Sequence, residues 1–169
     1  EGYIYTKNLK NYFGGLLIFA FISQLPYMLF INNFTNNFTL NILFTLSLGL
    51  LAITVYDKSK NKLLGLLFVA LCAIFAQFLY FDYGWFGIAT IFIFYVFKNK
   101  KIYMNLSFCI ATIINYLYSY ISTSRIENLF IILFCSLSLV AINLYNGKKG
   151  KNIKYFLYIF YPLHLIALY

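Results

Sequence analysis

Seven long apolar stretches, separated by short gaps that hold nearly all of the charge, dominate this chain: residues 12–31, 39–56, 63–81, 83–97, 102–121, 128–145 and 153–169. A bilayer core of about 30 Å is crossed by roughly 20 apolar residues in a helix, or somewhat fewer when flanking side chains reach the interfaces. The pattern therefore predicts an all-α, polytopic transmembrane helix bundle with seven spans, forming a single integral membrane domain over 1–169. The stretch at 83–97 is the shortest and opens with Gly84 and Gly87; it either thins the bilayer locally or is re-entrant within the protein. Composition supports the same class. Charged residues make up 10% and hydrophobic residues 63% of the chain, whereas soluble domains carry about 25% charged residues.

The lysines set the expected orientation, because basic residues in short loops remain on the cytoplasmic side. Lys7 and Lys10 precede the first stretch, and Lys58, Lys60 and Lys62 join the second to the third. Lys98, Lys100 and Lys101 join the fourth to the fifth, and Lys148, Lys149 and Lys151, with Lys154 at the start of the seventh, join the sixth to the seventh. The other connections contain no lysine, so a seven-pass alternation puts every lysine inside, and only if 83–97 truly crosses. The formal charge of +9 thus reads as membrane topology, and nucleic acid is not an expected partner. Cys72, Cys109 and Cys135 lie inside apolar runs without metal or disulfide spacing, so they read as buried hydrophobes and no metal site is expected. The Asn33 and Asn37 sequons read as accidental in a sequence whose Asn, Lys, Ile, Phe and Tyr bias suggests an AT-rich bacterial genome. The chain opens on Glu1 and its last apolar run continues to Tyr169; a longer parent protein, truncated at its N-terminus, is expected.

Few side chains within the apolar runs carry chemistry. His164 is the only histidine, and counting about 1.5 Å per residue from Lys154 sets it some 15 Å into the membrane. A titratable group at that depth is a functional candidate, although a neutral histidine bridging two helices is the simpler account. Pro162, two residues earlier, frees a backbone carbonyl and is expected to kink the helix beside the imidazole. Gln24, Gln77 and Asn115 fall at a common depth of about 20 Å from the lysine side, with Ser23 beside the first. Asn41 and Thr45 share a helix face at spacing i, i+4 nearer the outer surface. Interhelical hydrogen bonding accounts for such residues without catalysis. Asp82 reads either as a group that orients a base or as an interfacial carboxylate capping the next helix; the depth count sets it about 13 Å outward of His164, which disfavours a direct pair. The Asn146-Gly147-Lys148-Lys149-Gly150 turn, followed by Lys151, is able to hold phosphates through backbone N–H groups and ammonium groups, although topology alone explains its lysines.

Several strings together resemble the TraX family of bacterial membrane proteins: Glu1-Gly2-Tyr3-Ile4-Tyr5-Thr6, Ser23-Gln24-Leu25-Pro26, Asn41-Ile42-Leu43-Phe44-Thr45, Asp82-Tyr83-Gly84-Trp85-Phe86-Gly87, Asn146-Gly147-Lys148-Lys149-Gly150 and Tyr161-Pro162-Leu163-His164. The resemblance runs through nearly the whole chain and is carried by the order and spacing of the strings. It implies an integral membrane acyltransferase of the bacterial cytoplasmic membrane, using cytosolic acetyl-CoA and acting on a pilin-like N-terminal amine or an envelope glycan hydroxyl. It also implies two preceding helices, the first bearing an Asp-His pair, that this chain lacks. Under that resemblance His164 is the catalytic candidate in this chain, polarising the acyl group or positioning the acceptor. Tyr161, Gln24, Asn41, Thr45 and Asp82 support the substrate, and Asn146, Lys148, Lys149 and Lys151 face the donor's phosphates. Two readings from other classes compete. A transporter or flippase would be expected to show internal repeats, broken helices or buried ion-coupling carboxylates, and a non-enzymatic membrane subunit would use the polar residues for helix packing alone.

Overall fold

A computed structural model describes residues 2–31, 38–145 and 154–168, and their helices follow from local signals. Among the described residues there are eight helices and no strand: α1 (Gly2–Tyr5), α2 (Leu9–Phe30), α3 (Ile42–Lys58), α4 (Lys62–Phe78), α5 (Gly84–Val96), α6 (Lys101–Thr123), α7 (Glu127–Leu144) and α8 (Lys154–Leu168). Three begin at an asparagine in extended conformation whose side-chain oxygen takes an otherwise orphaned amide of the first turn. Asn8 accepts from Asn11 N–H at 3.1 Å, Asn41 from Leu43 N–H at 3.0 Å, and Asn61 from Leu63 N–H at 2.9 Å. The chain's two prolines, Pro26 and Pro162, lie inside α2 and α8.

The all-helical class agrees with the sequence, but helix length does not confirm seven crossings. Only α2 and α7, at 22 and 18 residues, combine the length and apolarity needed to cross a bilayer among the described residues. At about 1.5 Å per residue, the 17 residues of α4 reach some 25 Å and the 13 of α5 some 20 Å, both less than the hydrocarbon core. The 23 residues of α6 are long enough, but the Asn, Ser and Thr side chains along them dilute its apolarity. The fold nevertheless turns apolar side chains outward and polar ones inward. Phe21, Leu25 and Phe78 are 70%, 66% and 77% exposed, while Ser23, Asn41, Thr45 and Ser47 are buried. A water-facing surface does not carry such continuous apolar cover.

The chain divides into two compact units, one comprising residues 1–88 and 149–169 and the other 89–148. In the first, α3 packs on both α2 and α4, and α8 packs on α2. The Tyr158 ring stacks on Phe19 with centroids 4.4 Å apart, and its hydroxyl lies close above Gly15. The neighbours α2, α3 and α4 alternate in direction. Gly65, near the start of α4, meets the backbone of Tyr56 near the end of α3, and Leu40, before α3, bridges to the segment after α4 through Leu40 N–H to Tyr80 O (3.0 Å) and Asp82 N–H to Leu40 O (2.8 Å). Lys10, Lys58 and Lys62 consequently gather at one end of this unit and Asp82 at the other. At the lysine end, Tyr3 donates to Asp57 Oδ2 at 2.6 Å. Burial, then the bond and charge of Asp57, push the Tyr3 phenol up to about 12.

In the second unit α6 and α7 pair as a hairpin. Ser124 makes the turn in left-handed conformation, φ 54°, a region that costs most non-glycine residues. At the open end Lys101 Nζ donates to Asn143 O at 3.0 Å. The last turns of α5 lie against α6, where Phe94 stacks on Phe108 at 5.4 Å and Phe97 on Tyr103 at 6.2 Å.

Candidate functional site

The end of the first unit opposite the lysines collects most of the polar side chains singled out in the sequence. Asn41 is its centre and is fully buried. Besides capping α3, its Nδ2 donates to Ala20 O at 2.8 Å and to Gln24 Oε1 at 2.9 Å, and its backbone N–H donates to the same Gln24 oxygen at 3.2 Å. Gln24 Nε2 in turn donates to Thr39 O at 2.7 Å. One amide pair thus fastens the middle of α2 to the entry of α3, in surroundings where an unpaired amide would cost several kcal/mol. Two buried hydroxyls flank it, Ser23 next to Gln24 and Thr45 one turn after Asn41, and neither has a hydrogen-bond partner among the described residues.

Asp82 lies beside this amide pair because the Leu40 bridge holds its backbone there. One face of the residue is open, and Oδ1 accepts from the Tyr27 hydroxyl at 3.0 Å. The protein crowded around the carboxyl pushes it above the usual carboxylate range, and the Tyr27 hydroxyl pulls it part of the way back. Tyr161 enters from α8. Its hydroxyl meets the backbone N–H of Ile42 in the first turn of α3 and lies in the field of Asp82, with Tyr83 nearby. Two phenols, one carboxylate and the positive end of α3 therefore share one place.

Glycine makes room for this arrangement on the α5 side. A Cβ on Gly87 would lie 2.6 Å from Thr45 Cγ2 and 2.8 Å from Tyr83 Cβ, so the start of α5 sits directly on α3 only because no side chain intervenes. Gly84 has φ +47°, and a Cβ there would collide with Gln77 Oε1. That oxygen accepts from Trp85 N–H at 3.4 Å. The first turn of α5 thus takes its acceptor from Gln77, while Asp82, expected as a possible cap, turns to Tyr27. Gln77 is exposed and stands outside the Gln24 amide pair, so the polar layer expected from equal depths does not include it, and Asn115 belongs to the second unit.

His164 is on the edge of the site. Its ring stacks on Phe160 at 5.2 Å and tilts against Tyr161 at 5.4 Å, and Nδ1 lies 3.2 Å from Phe160 O. A carbonyl only accepts, so Nδ1 carries the proton in this pairing, and Nε2 is the nitrogen left for any other partner. Tyr161 is the common neighbour of His164 and Asp82; no direct contact joins those two among the described residues. Asn146, Lys148, Lys149 and Lys151 lie outside the described residues.

Four of the six strings with sequence resemblance thus contribute to one cluster, from α2, α3, the α4–α5 segment and α8; the string at Glu1–Thr6 places Tyr3 at the lysine end. A family model described as TraX protein matches residues 1–169. The chain belongs to the TraX family. No curated protein and no solved structure gives a match. Within this TraX-family chain, Tyr27 is a participant that the sequence analysis does not single out. Its spacing from Ser23 and Gln24, i+4 and i+3, carries it onto the same helix face. The Ile42 N–H has no side-chain signal, and only its position just after the Asn41 cap marks it as a free donor.

Proposed function

We propose that this TraX-family chain is the core of an integral membrane acyltransferase in the bacterial cytoplasmic membrane, with its lysine-rich loops cytoplasmic. It transfers acetyl from cytosolic acetyl-CoA to an envelope acceptor, a pilin-like N-terminal amine or a glycan hydroxyl. The observation that carries this reading is the convergence of Gln24, Asn41, Asp82 and Tyr161 from four separate segments on one polar place inside an apolar shell. Packing alone requires no carboxylate beside two phenols.

The unpartnered hydroxyls of Ser23 and Thr45, together with the Tyr161 phenol, are neutral donors, and these suit the carbonyl of an acyl thioester. When bound, acetyl-CoA would supply an acyl carbon activated by its thiol leaving group. The residues of this chain have complementary tasks. His164, with Nδ1–H on Phe160 O, presents Nε2 as a proton acceptor for the attacking amine or hydroxyl, so acceptance of a proton suits it better than polarising a carbonyl. Tyr161 aligns the acceptor between His164 and Asp82. Asp82 holds Tyr27 and offers the one carboxylate of the cluster to a positively charged acceptor or to a base. The Gln24–Asn41 pair keeps α2 and α3 in register while these groups act.

Protein made from the full reading frame and reconstituted in liposomes tests this. Release of free CoA from acetyl-CoA should require a membrane extract as acceptor source and should fall at least about 100-fold in His164→Ala, the scale of a lost acid-base group. Wild-type turnover by folded His164→Ala would remove His164 from the reaction. An absence of CoA release from folded wild type with every extract would refute the acyltransferase reading.

A further inference from the structure

At the lysine end of the first unit, away from the polar cluster, a cleft of about 180 Å³ opens between the start of α2 and the end of α3. Lys10 and Lys58 stand at its mouth, and Phe13, Leu50 and Leu51 form its walls and floor. Among the described residues neither ammonium has an acceptor, whereas the nearby Lys62 is satisfied by Tyr56 O at 3.0 Å and Asp57 O at 2.9 Å. Leu51 is seven residues before Lys58, so the cleft runs about 10 Å from charge into hydrocarbon. Leu51 also borders a second cavity, an open groove of about 580 Å³ along α3 and α4 lined by Leu48, Phe68, Leu71 and Phe75 with other apolar side chains. Leu51 thus lines both cavities and is 39% exposed, with a basic cleft on one side of it and an apolar trough on the other.

We propose that this composite cleft binds an anionic phospholipid, its phosphate between Lys10 and Lys58 and one acyl chain passing over Leu51 into the α3–α4 groove. Two ammonium groups beside one apolar cleft favour an anion with a hydrocarbon tail, and the apolar trough beyond Leu51 offers nothing to the polar remainder of a nucleotide. The cleft is too small for a whole ligand of ordinary size, since such sites span roughly 300–1,000 Å³, but it suits a headgroup whose chain continues outside it. A lysine near a membrane surface favours an anionic headgroup by about five-fold, so the pair is worth a preference of roughly 30-fold. The proposal rests on the membrane reading but not on acyl transfer.

Native mass spectrometry of protein released from nanodiscs of mixed phosphatidylglycerol and phosphatidylcholine tests it. Wild type should retain phosphatidylglycerol over phosphatidylcholine, Lys10→Gln/Lys58→Gln should lose roughly 30-fold of that preference, and Lys60→Gln should keep it. Leu51→Trp, which blocks the passage without changing charge, should weaken retention of long-chain phosphatidylglycerol but spare a short-chain analogue. This second variant decides the matter if the lysine pair proves necessary for folding. Equal retention of both lipids by wild type, undiminished preference in the double lysine variant, or displacement of the lipid by micromolar CoA would each overturn the proposal, the last assigning the cleft to donor phosphates. CoA release measured on the same samples is a separate readout, so failure of this lipid site and failure of the transferase reading are distinguishable.

Discussion

Replacing Asn41 separates two roles that its side chain performs at once. As the residue before α3 it supplies an oxygen to Leu43 N–H, and as a double donor it bonds Ala20 O and Gln24 Oε1. Serine keeps the first role and loses the second; two neutral bonds at about 1 kcal/mol each give a loss of about 2 kcal/mol. Alanine loses the cap as well, adding about 1 kcal/mol, for a total near 3 kcal/mol. Aspartate is the informative change. Helix-end electrostatics alone favour it by a few tenths to 1 kcal/mol, and it preserves the cap. In this site, however, it sets a carboxylate oxygen against Ala20 O and Gln24 Oε1 at a position with no solvent exposure. The two lost donors and the facing acceptors together cost about 3–4 kcal/mol. The expected order of stability is Asn, Ser, Ala, Asp, measured by reversible unfolding in mixed micelles with circular dichroism as the signal. A cycle with Gln24→Ala should return a coupling of about 1 kcal/mol. Wild-type stability in Asn41→Asp would refute the donor assignment and with it the amide pair as the clasp between α2 and α3.

Gly87→Ala should destabilise by about 1–3 kcal/mol in the same assay, because its methyl group lies 2.6 Å from Thr45 Cγ2, and Thr45→Ser in that background should recover part of the loss. Asp82→Asn addresses pH. The folded state raises the Asp82 pKa above its unfolded value, so the contribution of its protonated form is full below the ordinary carboxylate pKa of about 3.9 and is lost as pH rises through the folded value. The variant should therefore flatten the change in Tm from pH 4 upward, and an unchanged profile would reject the crowding of that carboxyl. Tyr161→Phe keeps the ring against His164 but deletes the hydroxyl at Ile42 and Asp82; turnover should fall about 10- to 100-fold with folding intact, and wild-type CoA release would take Tyr161 out of the site.

The helical class is readable because apolar runs punctuated by lysines allow little else, and the asparagines at 8, 41 and 61 each stand directly before a helix. Depth counting found Gln24 but grouped it wrongly. Equal distance along two helices says nothing of rotation about their axes, and Gln77 turns toward Trp85 while Gln24 turns toward Asn41. The Asn41–Thr45 spacing suggests one helix face, whereas Asn41 is the extended cap residue before α3 and its side chain turns to Gln24 on α2. For Asp82 the sequence offered a cap, and the Leu40 bridge, a contact between residues forty apart, moved its carboxyl to Tyr27 instead. His164 was conspicuous by composition, whereas the tautomer that exposes Nε2 follows from the Phe160 carbonyl and has no trace in the sequence.

Pro26 and Pro162 distribute stiffness unevenly around the site. Each removes one amide donor from its helix and with it one rung of the backbone ladder. The cluster is therefore built between two kinds of wall: α3 and α4 have uninterrupted backbone ladders, while α2 and α8 each carry one break within a turn or so of the functional side chains. Bending is cheapest where a ladder bond is already missing. Mechanically the site is a vice with a fixed jaw, bearing Asn41 and Thr45, and a yielding jaw, bearing Tyr27, Tyr161 and His164. Any widening of this cluster is therefore expected on the side of α2 and α8, where a ladder bond is missing, and not along α3.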